Sequence, residues 1–317
     1  MTFGKVKGQA RAAKVLCGML ATGRLPSAIM FHGMEGIGKT LLAIEFAKAL
    51  LCRGRQTPAQ DACGLCNDCV SVDKRVHPDL ALVNAQYQAG LLEAEPAKQK
   101  SLRVDTIRHL RRDMEMRSLM GNWKIAVVED AHTMEIEAAN ALLKILEEPN
   151  PRTLWVLATS QRERMPRTVL SRCFSVALAP LGAADVADIL AAQGVAPERA
   201  AAAAELCEGS ASRALELAAG DYPESLTGTP LAAFEAADSL PREAYLARAQ
   251  VEAALFALAQ DLRLKHLRGQ RPFARVERPL RELVRLRQAL RSNADPRAVL
   301  TLACLAAEEA APVPPIP

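Results

Sequence analysis

Residues 33–40 read Gly33-Met34-Glu35-Gly36-Ile37-Gly38-Lys39-Thr40 and match G-x-x-x-x-G-K-[ST] at every fixed position. The chemistry open to that pattern is polyphosphate binding. Gly33, Gly36 and Gly38 let backbone N–H groups converge on phosphate oxygens, and a helix opening at Lys39 adds the positive end of its dipole. Lys39 is expected to reach the β- and γ-phosphates, and the Thr40 hydroxyl to hold Mg²⁺. Such a loop also needs an acidic residue at the end of a neighbouring strand, and Lys124-Ile125-Ala126-Val127-Val128-Glu129-Asp130 supplies one. The usual order in nucleotidases of this kind is Asp, which holds the metal through water, then Glu, which orients the attacking water. Here Glu129 is one methylene longer than the first position wants and Asp130 one shorter than the second. A displacement of about 1 Å can cost roughly a hundredfold in rate. The expectation is nucleotide binding with slow hydrolysis.

A second cluster follows directly. Cys52, Cys63, Cys66 and Cys69 have the spacing C-x10-C-x2-C-x2-C. Overlapping C-x2-C steps place thiolates on one tetrahedral Zn²⁺, and Gly64 eases the turn after Cys63. Arg53, Arg55 and Lys74 lie nearby in sequence and favour thiolates. Disulfides or ordinary thiols are the competing readings, and a reducing compartment weighs against the first. A four-thiolate site has no open coordination position, so the expected role is structural.

The elements that must position these groups follow from periodicity. Residues 9–22 present Ala12, Val15, Leu16, Met19 and Leu20 on one helical face. Ala28–His32, Leu80–Asn84, Ile125–Glu129, Thr153–Thr159 and Cys173–Leu178 read as strands, and 39–51, Val104–Arg117 and Glu135–Glu148 as helices. Residues 85–102 are polar and read as a surface insertion. Strands alternating with helices imply a parallel α/β sheet covered on both faces. After Pro180 the strand signals stop. Residues 183–219 read as short Ala/Leu helices broken at Gly194 and Gly209, and 220–230 as a linker. Helices then run to Ala311, broken at Gly269–Pro272 and at Ser292–Pro296 with Asn293 as a cap, and the tail PVPPIP reads as disordered. The expected partition is a nucleotide-binding domain over 1–178 with its cysteine module at 52–69, a helical lid over 179–221 and a helical domain over 222–317.

Composition sets bounds on this. The 317 residues are 50% hydrophobic but only 4% aromatic, which favours helices over a β-sandwich, and the net charge of +4 does not by itself argue for nucleic acid. No apolar run reaches the roughly 20 residues needed to span a bilayer, and the first residues lack the continuous apolar core of a signal peptide, so a cytoplasmic protein with reduced thiols is expected. The remaining Cys17, Cys173, Cys207 and Cys304 read as small buried hydrophobes. Arg278, Arg281 and Arg285 share a helical face after Arg263, Lys265, Arg268, Arg271 and Arg275; with no interleaved aromatics this reads as a solvated face rather than a nucleic-acid contact.

Several stretches together resemble the delta-prime type of bacterial DNA polymerase III clamp-loader subunit, within the AAA+ superfamily. They are Val6-Lys7-Gly8-Gln9, the phosphate loop running into FAKALLC, the cysteine module, His77-Pro78-Asp79, Leu102–Arg108, the run Ala138–Pro149 that contains ALLKILEEP, and Ser171-Arg172-Cys173. The match is dense over 1–178 and thin beyond about 220. The resemblance implies a five-subunit ring, with gamma/tau and delta subunits as neighbours, that opens a sliding clamp and closes it around primed DNA as part of the DNA polymerase III holoenzyme. It assigns to Arg172 the arginine given in trans to a neighbour's ATP site, to Thr159 the first sensor position, and to Arg213 the second sensor on the lid. It makes 222–317 the collar of the ring. Two other readings are a gamma/tau-type ATPase, disfavoured by the Glu129-Asp130 order and the early start at Phe3, and a scaffold with a vestigial phosphate loop. A remodelling ATPase would want an intact acidic pair and a pore loop, and neither is in the sequence.

Overall fold

The computed structural model describes residues 3, 5–57, 61–96, 99, 101–120, 123–219, 230–242, 244–292 and 294–308. They form two compact units, 1–185 and 186–317. In the first, the chain runs α1 (Ala10–Thr22), β1 (Ala28–His32), α2 (Lys39–Leu51), α3 (Asn67–Asp73), β2 (Leu80–Val83), α4 (Ala85–Leu92), α5 (Val104–Glu115), β3 (Lys124–Val128), α6 (Ile136–Glu147), β4 (Thr153–Thr159), α7 (Arg167–Leu170) and β5 (Phe174–Ala177). The five strands make one parallel sheet in the order β2-β3-β4-β1-β5.

Alternation along the strands builds a core on each face of the sheet. Ile29 and Phe31 of β1, Ile125 and Val127 of β3, and Leu154 and Val156 of β4 pack with Leu16 of α1 and Leu42 and Phe46 of α2. Their neighbours Met30, Ala126, Val128, Trp155 and Leu157 pack on the other face with Ile107 and Leu110 of α5 and Leu142 of α6. Two covered faces explain why these strands read as unbroken apolar runs.

Two expectations need correction. The acidic strand β3 is not adjacent to the phosphate-loop strand β1, because β4 lies between them. Residues 85–102 are not simply a polar surface insertion. They open with the helix α4, whose Gln88 is buried and donates to Gln99 Oε1 (2.7 Å) and the Ser101 carbonyl (2.8 Å). Gln88 Oε1 accepts from the Arg103 backbone amide and the Thr106 hydroxyl, both at 2.8 Å, which fixes the start of α5. A polar side chain with its bonds met in this way is stable in the interior.

The second unit is helical among its described residues. Helix α8 (Ala183–Ala192) crosses the boundary, and α9 (Pro197–Leu206), α10 (Ala211–Ala219), α11 (Pro230–Asp238), α12 (Ala244–Leu267), α13 (Phe273–Arg291) and α14 (Pro296–Glu308) follow. Val251, Leu255, Leu258 and Leu262 recur at helical spacing on α12 and pack with Leu283, Leu286 and Leu290 of α13 and Val299, Leu300 and Ala303 of α14. The expected linker, apart from Pro230, lies outside the described residues, as do Asn293 and the PVPPIP tail. No helix among the described residues is long and apolar enough to cross a membrane. Cys207 and Cys304 are buried, whereas Cys17 and Cys173 are only half-buried.

Candidate nucleotide site and metal centre

The phosphate loop joins the C-terminal end of β1 to the first turn of α2. Its glycines serve two purposes. Gly38 caps α2 at φ +92°, in the left-handed region, and no side chain caps that N-terminus among the described residues, so its amides remain available to an anion. Gly33 sits at φ +146°, where an added Cβ would come within 2.6 Å of the Leu178 carbonyl and 2.8 Å of Ile37 Cδ1. Gln9, from the Val6–Gln9 stretch, is buried behind the loop. Its amide donates to the carbonyls of Ile37 (3.3 Å) and Ala179 (2.8 Å) and accepts from the Ala179 amide (3.2 Å), pinning the loop to the chain leaving β5.

Lys39 is buried, and its Nζ donates to the carbonyls of Gly33 (3.0 Å) and Met34 (2.6 Å). Burial lowers its pKa, while Asp130 and then Glu35 oppose that shift. Asp130, of the acidic pair, is thus one source of the opposing charge. It turns at φ +43° after β3 ends, whereas the Glu129 amide still donates to the Val83 carbonyl of β2 (2.9 Å). Thr40 is half-buried in the first turn of α2. The register sets His32 level with Thr159, and the Gly33 amide donates to the Thr159 carbonyl (3.3 Å). Thr159 is fully buried, and its hydroxyl oxygen accepts from the Gln161 amide (3.1 Å). His132 Nδ1 lies 3.3 Å from the same oxygen. The sequence reading missed His132; its signal was its place two residues beyond the acidic pair, in the turn Ala131–Thr133.

The four cysteine sulfurs lie within 4.8 Å of one another, with Cys52–Cys66 at 3.8 Å and Cys63–Cys69 at 3.9 Å. Four sulfurs each about 2.3 Å from a central Zn²⁺ in a tetrahedron stand about 3.8 Å apart. A disulfide needs roughly 2.05 Å, so this set is shaped for a metal ion and not for a cross-link. Local structure delivers each ligand: Cys52 caps the C-terminus of α2, Cys66 precedes α3, and Cys69 lies within it. The Cys63 amide donates to Cys52 Sγ and the Cys66 amide to Cys63 Sγ, both at 3.3 Å. Backbone donation from Leu65 and Cys66 brings the Cys63 thiol down to about 6, while burial pushes Cys52 and Cys69 up. Buried thiols become ligands only when a cation offsets the loss of hydration, and the donor set fits that requirement.

Arg53 stands close enough to the module for its charge to interact with Cys66, but its main partner is a carboxylate. Its Nε and Nη2 form a two-point contact with the buried Asp68 at 2.8 and 2.9 Å, and that bond holds the Asp68 carboxyl below its usual range. The His77-Pro78-Asp79 stretch meets the module through His77 Nε2, 3.6 Å from Asp68 Oδ1. His77 Nδ1 accepts from the Asp79 amide (3.1 Å), and the buried Asp79 carboxylate accepts from the Ser118 hydroxyl and the amides of Leu119 and Met120 at 2.8–2.9 Å.

Arg172 stands on the surface between α7 and β5. Its Nη2 is 2.8 Å from Glu147 Oε1 at the end of α6, and its Nη1 donates to the Thr168 carbonyl (3.0 Å). Arg213 belongs to the second unit, with its guanidinium 4.6 Å above the Phe256 ring and 3.7 Å from Glu208. The basic residues of α12 and α13 are largely paired within their own unit: Arg263 with Glu208, Arg268 with Glu205, Arg281 with Glu277 and Arg285 with Glu282.

Comparison with known proteins agrees with this layout. The DNA polymerase III subunit delta' of Bacillus subtilis is 33% identical over 214 residues, covering 67% of this chain and 60% of the relative. The delta' subunit of Pseudomonas aeruginosa is 38% identical over 157 residues, covering 50% and 44%. The tau/gamma subunit of Haemophilus influenzae is 30% identical over 190 residues, covering 60% and 25%. The chain thus spans 60% or less of the length of these relatives. A solved DNA polymerase III gamma subunit-related protein from Thermotoga maritima superposes with a TM-score of 0.52 over 93% of this chain and 98% of its own, at 15% identity, which speaks to the fold alone. Residues 8–182 match the family described as DNA polymerase III, delta subunit, and this chain belongs to that family.

Proposed function

We propose that this chain is a delta-prime-type clamp-loader subunit of DNA polymerase III that binds ATP with Mg²⁺, hydrolyses it slowly, and lends Arg172 to the ATP site of a neighbouring subunit. The observation that carries the reading is the state of Arg172. Its guanidinium is exposed and braced by Glu147 and Thr168, rather than bonded to Thr159, Asp130 or the phosphate-loop carbonyls of its own chain. A guanidinium held rigid at a surface stabilises charge on a transferring phosphoryl group only when an adjoining subunit brings that group to it.

In this chain's own site Gly33, Gly36, Gly38 and Lys39 would hold phosphates and Thr40 the metal. Thr159 would donate to the terminal phosphate, and Arg213, in the second unit, would take the second-sensor role. The reversed Glu129-Asp130 pair supports binding without brisk turnover. The Cys52, Cys63, Cys66 and Cys69 set would take Zn²⁺ as a clip at the end of α2. The lid would comprise 179–221 and the collar 222–317, with gamma/tau and delta subunits beside this one in a five-membered ring acting on the clamp and primed DNA. Identity to tau/gamma relatives favours one second reading, a gamma/tau-type ATPase.

Reconstitution with the partner subunits tests the proposal. Arg172→Ala is expected to lower the ATPase of the assembled complex by about 10³-fold at the site it serves, while the isolated chain keeps its melting temperature. Unchanged turnover of the complex would refute the role of Arg172. Turnover near one per second by the isolated chain would favour the gamma/tau reading.

A further inference from the structure

The hydroxyl of Thr159 has one proton and two lone pairs. One lone pair accepts from the Gln161 amide at 3.1 Å. What remains is settled with His132, whose Nδ1 is 3.3 Å away. When Nδ1 is bare, Thr159 gives its proton to the imidazole and has none to offer elsewhere. When Nδ1 carries a proton, as the imidazolium or as the neutral tautomer with a bare Nε2, it fills the second lone pair, and the Thr159 proton is left for an acceptor outside the pair; of these two forms, the negative charge of a bound phosphate favours the imidazolium, which takes up a proton. A phosphate oxygen is such an acceptor, and the loop that would present one meets β4 here through the Gly33 amide and the Thr159 carbonyl.

We infer that His132 is a positioning residue that sets the direction of the Thr159 hydrogen bond, so that binding of a nucleoside triphosphate at the phosphate loop is coupled to proton uptake at His132 Nδ1. The inference rests on the reading of residues 33–40 as an ATP site. The charged groups facing His132 come from every side: Asp130 from the turn after β3, Arg164 from the turn after β4, Lys39 from α2 and Glu35 from the phosphate loop. Burial is the largest influence and holds the imidazole below its ordinary value. Asp130 and Glu35 pull upward, and Arg164 and Lys39 push with burial. A terminal phosphate at Lys39 brings further negative charge close by and raises the His132 pKa. By linkage, affinity is lowest above the pKa of the bound state, rises as pH falls through it, and levels off below the pKa of the free state. Each unit of difference between the two is a tenfold change in Kd.

The test is the MgATP affinity of the full chain between about pH 5.5 and 8.5. The wild type is expected to tighten about tenfold toward the acid end, and the C–H resonances of the His132 ring to titrate at higher pH when MgATP is present. His132→Asn is expected to flatten that dependence, Thr159→Val to reduce it by the part the hydrogen bond carries, and Thr159→Ser to retain it. His32, the other imidazole at this end of β1, is the same in all of them, so the difference isolates His132. A slope in His132→Asn equal to that of the wild type, or a flat wild-type profile with normal binding, overturns this inference alone. Failure of the wild type to bind MgATP at any pH overturns the ATP reading and this inference with it. If His132→Asn does not fold, the ring titration of the wild type decides: no upward shift with MgATP overturns the coupling.

Discussion

Removing the metal from the cysteine module is expected to destabilise the first unit by an amount that the geometry bounds. The four sulfurs already stand at the separations a tetrahedral Zn²⁺ demands, so little distortion is needed to bind it. Structural zinc sites in small peptides bind with apparent free energies of about 10–16 kcal/mol at neutral pH, or Kd values of about 5 × 10⁻⁸ to 2 × 10⁻¹² M. At roughly 1 μM free zinc, mass action then stabilises the folded form by about 2–8 kcal/mol. The effect is not confined to a peripheral loop, because Cys52 ends the helix that begins at Lys39, and Val72 of α3 packs into the core beside α2. At about 2–4 °C per kcal/mol for a unit of this size, chelation should lower the first melting transition by at least about 4 °C. Metal analysis should give one zinc per chain. Cys63→Ser and Cys69→Ser should both abolish it, and Cys69→Ser should melt lower than Cys63→Ser even in chelator. Cys69 is fully buried and leaves a hydroxyl without a partner, costing about 1–3 kcal/mol, whereas Cys63 is exposed. A reduced, folded protein without zinc, or metal-free and metal-loaded forms that melt together, would refute the reasoning.

Three further outcomes are expected. Asp79→Ala orphans the Ser118 hydroxyl and the Leu119 and Met120 amides, and should lower stability by roughly 2–4 kcal/mol in urea unfolding. Gly33→Ala forces a side chain onto the Leu178 carbonyl at φ +146°; nucleotide affinity should fall at least about tenfold, read by calorimetric titration. Glu147→Ala frees one side of Arg172, so ATPase of the assembled complex should fall by a few fold, well short of Arg172→Ala. The isolated chain should lose no more than about 1 kcal/mol, since both partners are substantially exposed.

Much of the fold and part of the candidate site could be read from local pattern. The five strands and the helices that cover them fall within a residue or two of the apolar runs and stop signals, because burial of a period-2 or period-3.6 face is a local demand on the chain. The phosphate loop and the cysteine spacing are equally local, since both work through residues a few positions apart. Helix α4 went unread because Gln88 looks like a surface residue. It is buried only because Gln99, Ser101, Arg103 and Thr106 converge to meet its four hydrogen bonds.

The amino-acid sequence by itself determined which segments are strands, where the glycine-rich loop between a strand and a helix lies and which four thiols can share a metal. The tertiary structure decided that β4 separates β1 from β3, that Asp130 contributes its charge to Lys39, that Arg53 answers Asp68, that Glu147 braces Arg172, and that His132 meets Thr159 from 27 positions away. The physical reason is range. Periodicity, capping and ligand spacing act between near neighbours in the chain. The order of strands and the partners of buried charges are set by which distant surfaces close over one another, and no local pattern encodes that choice.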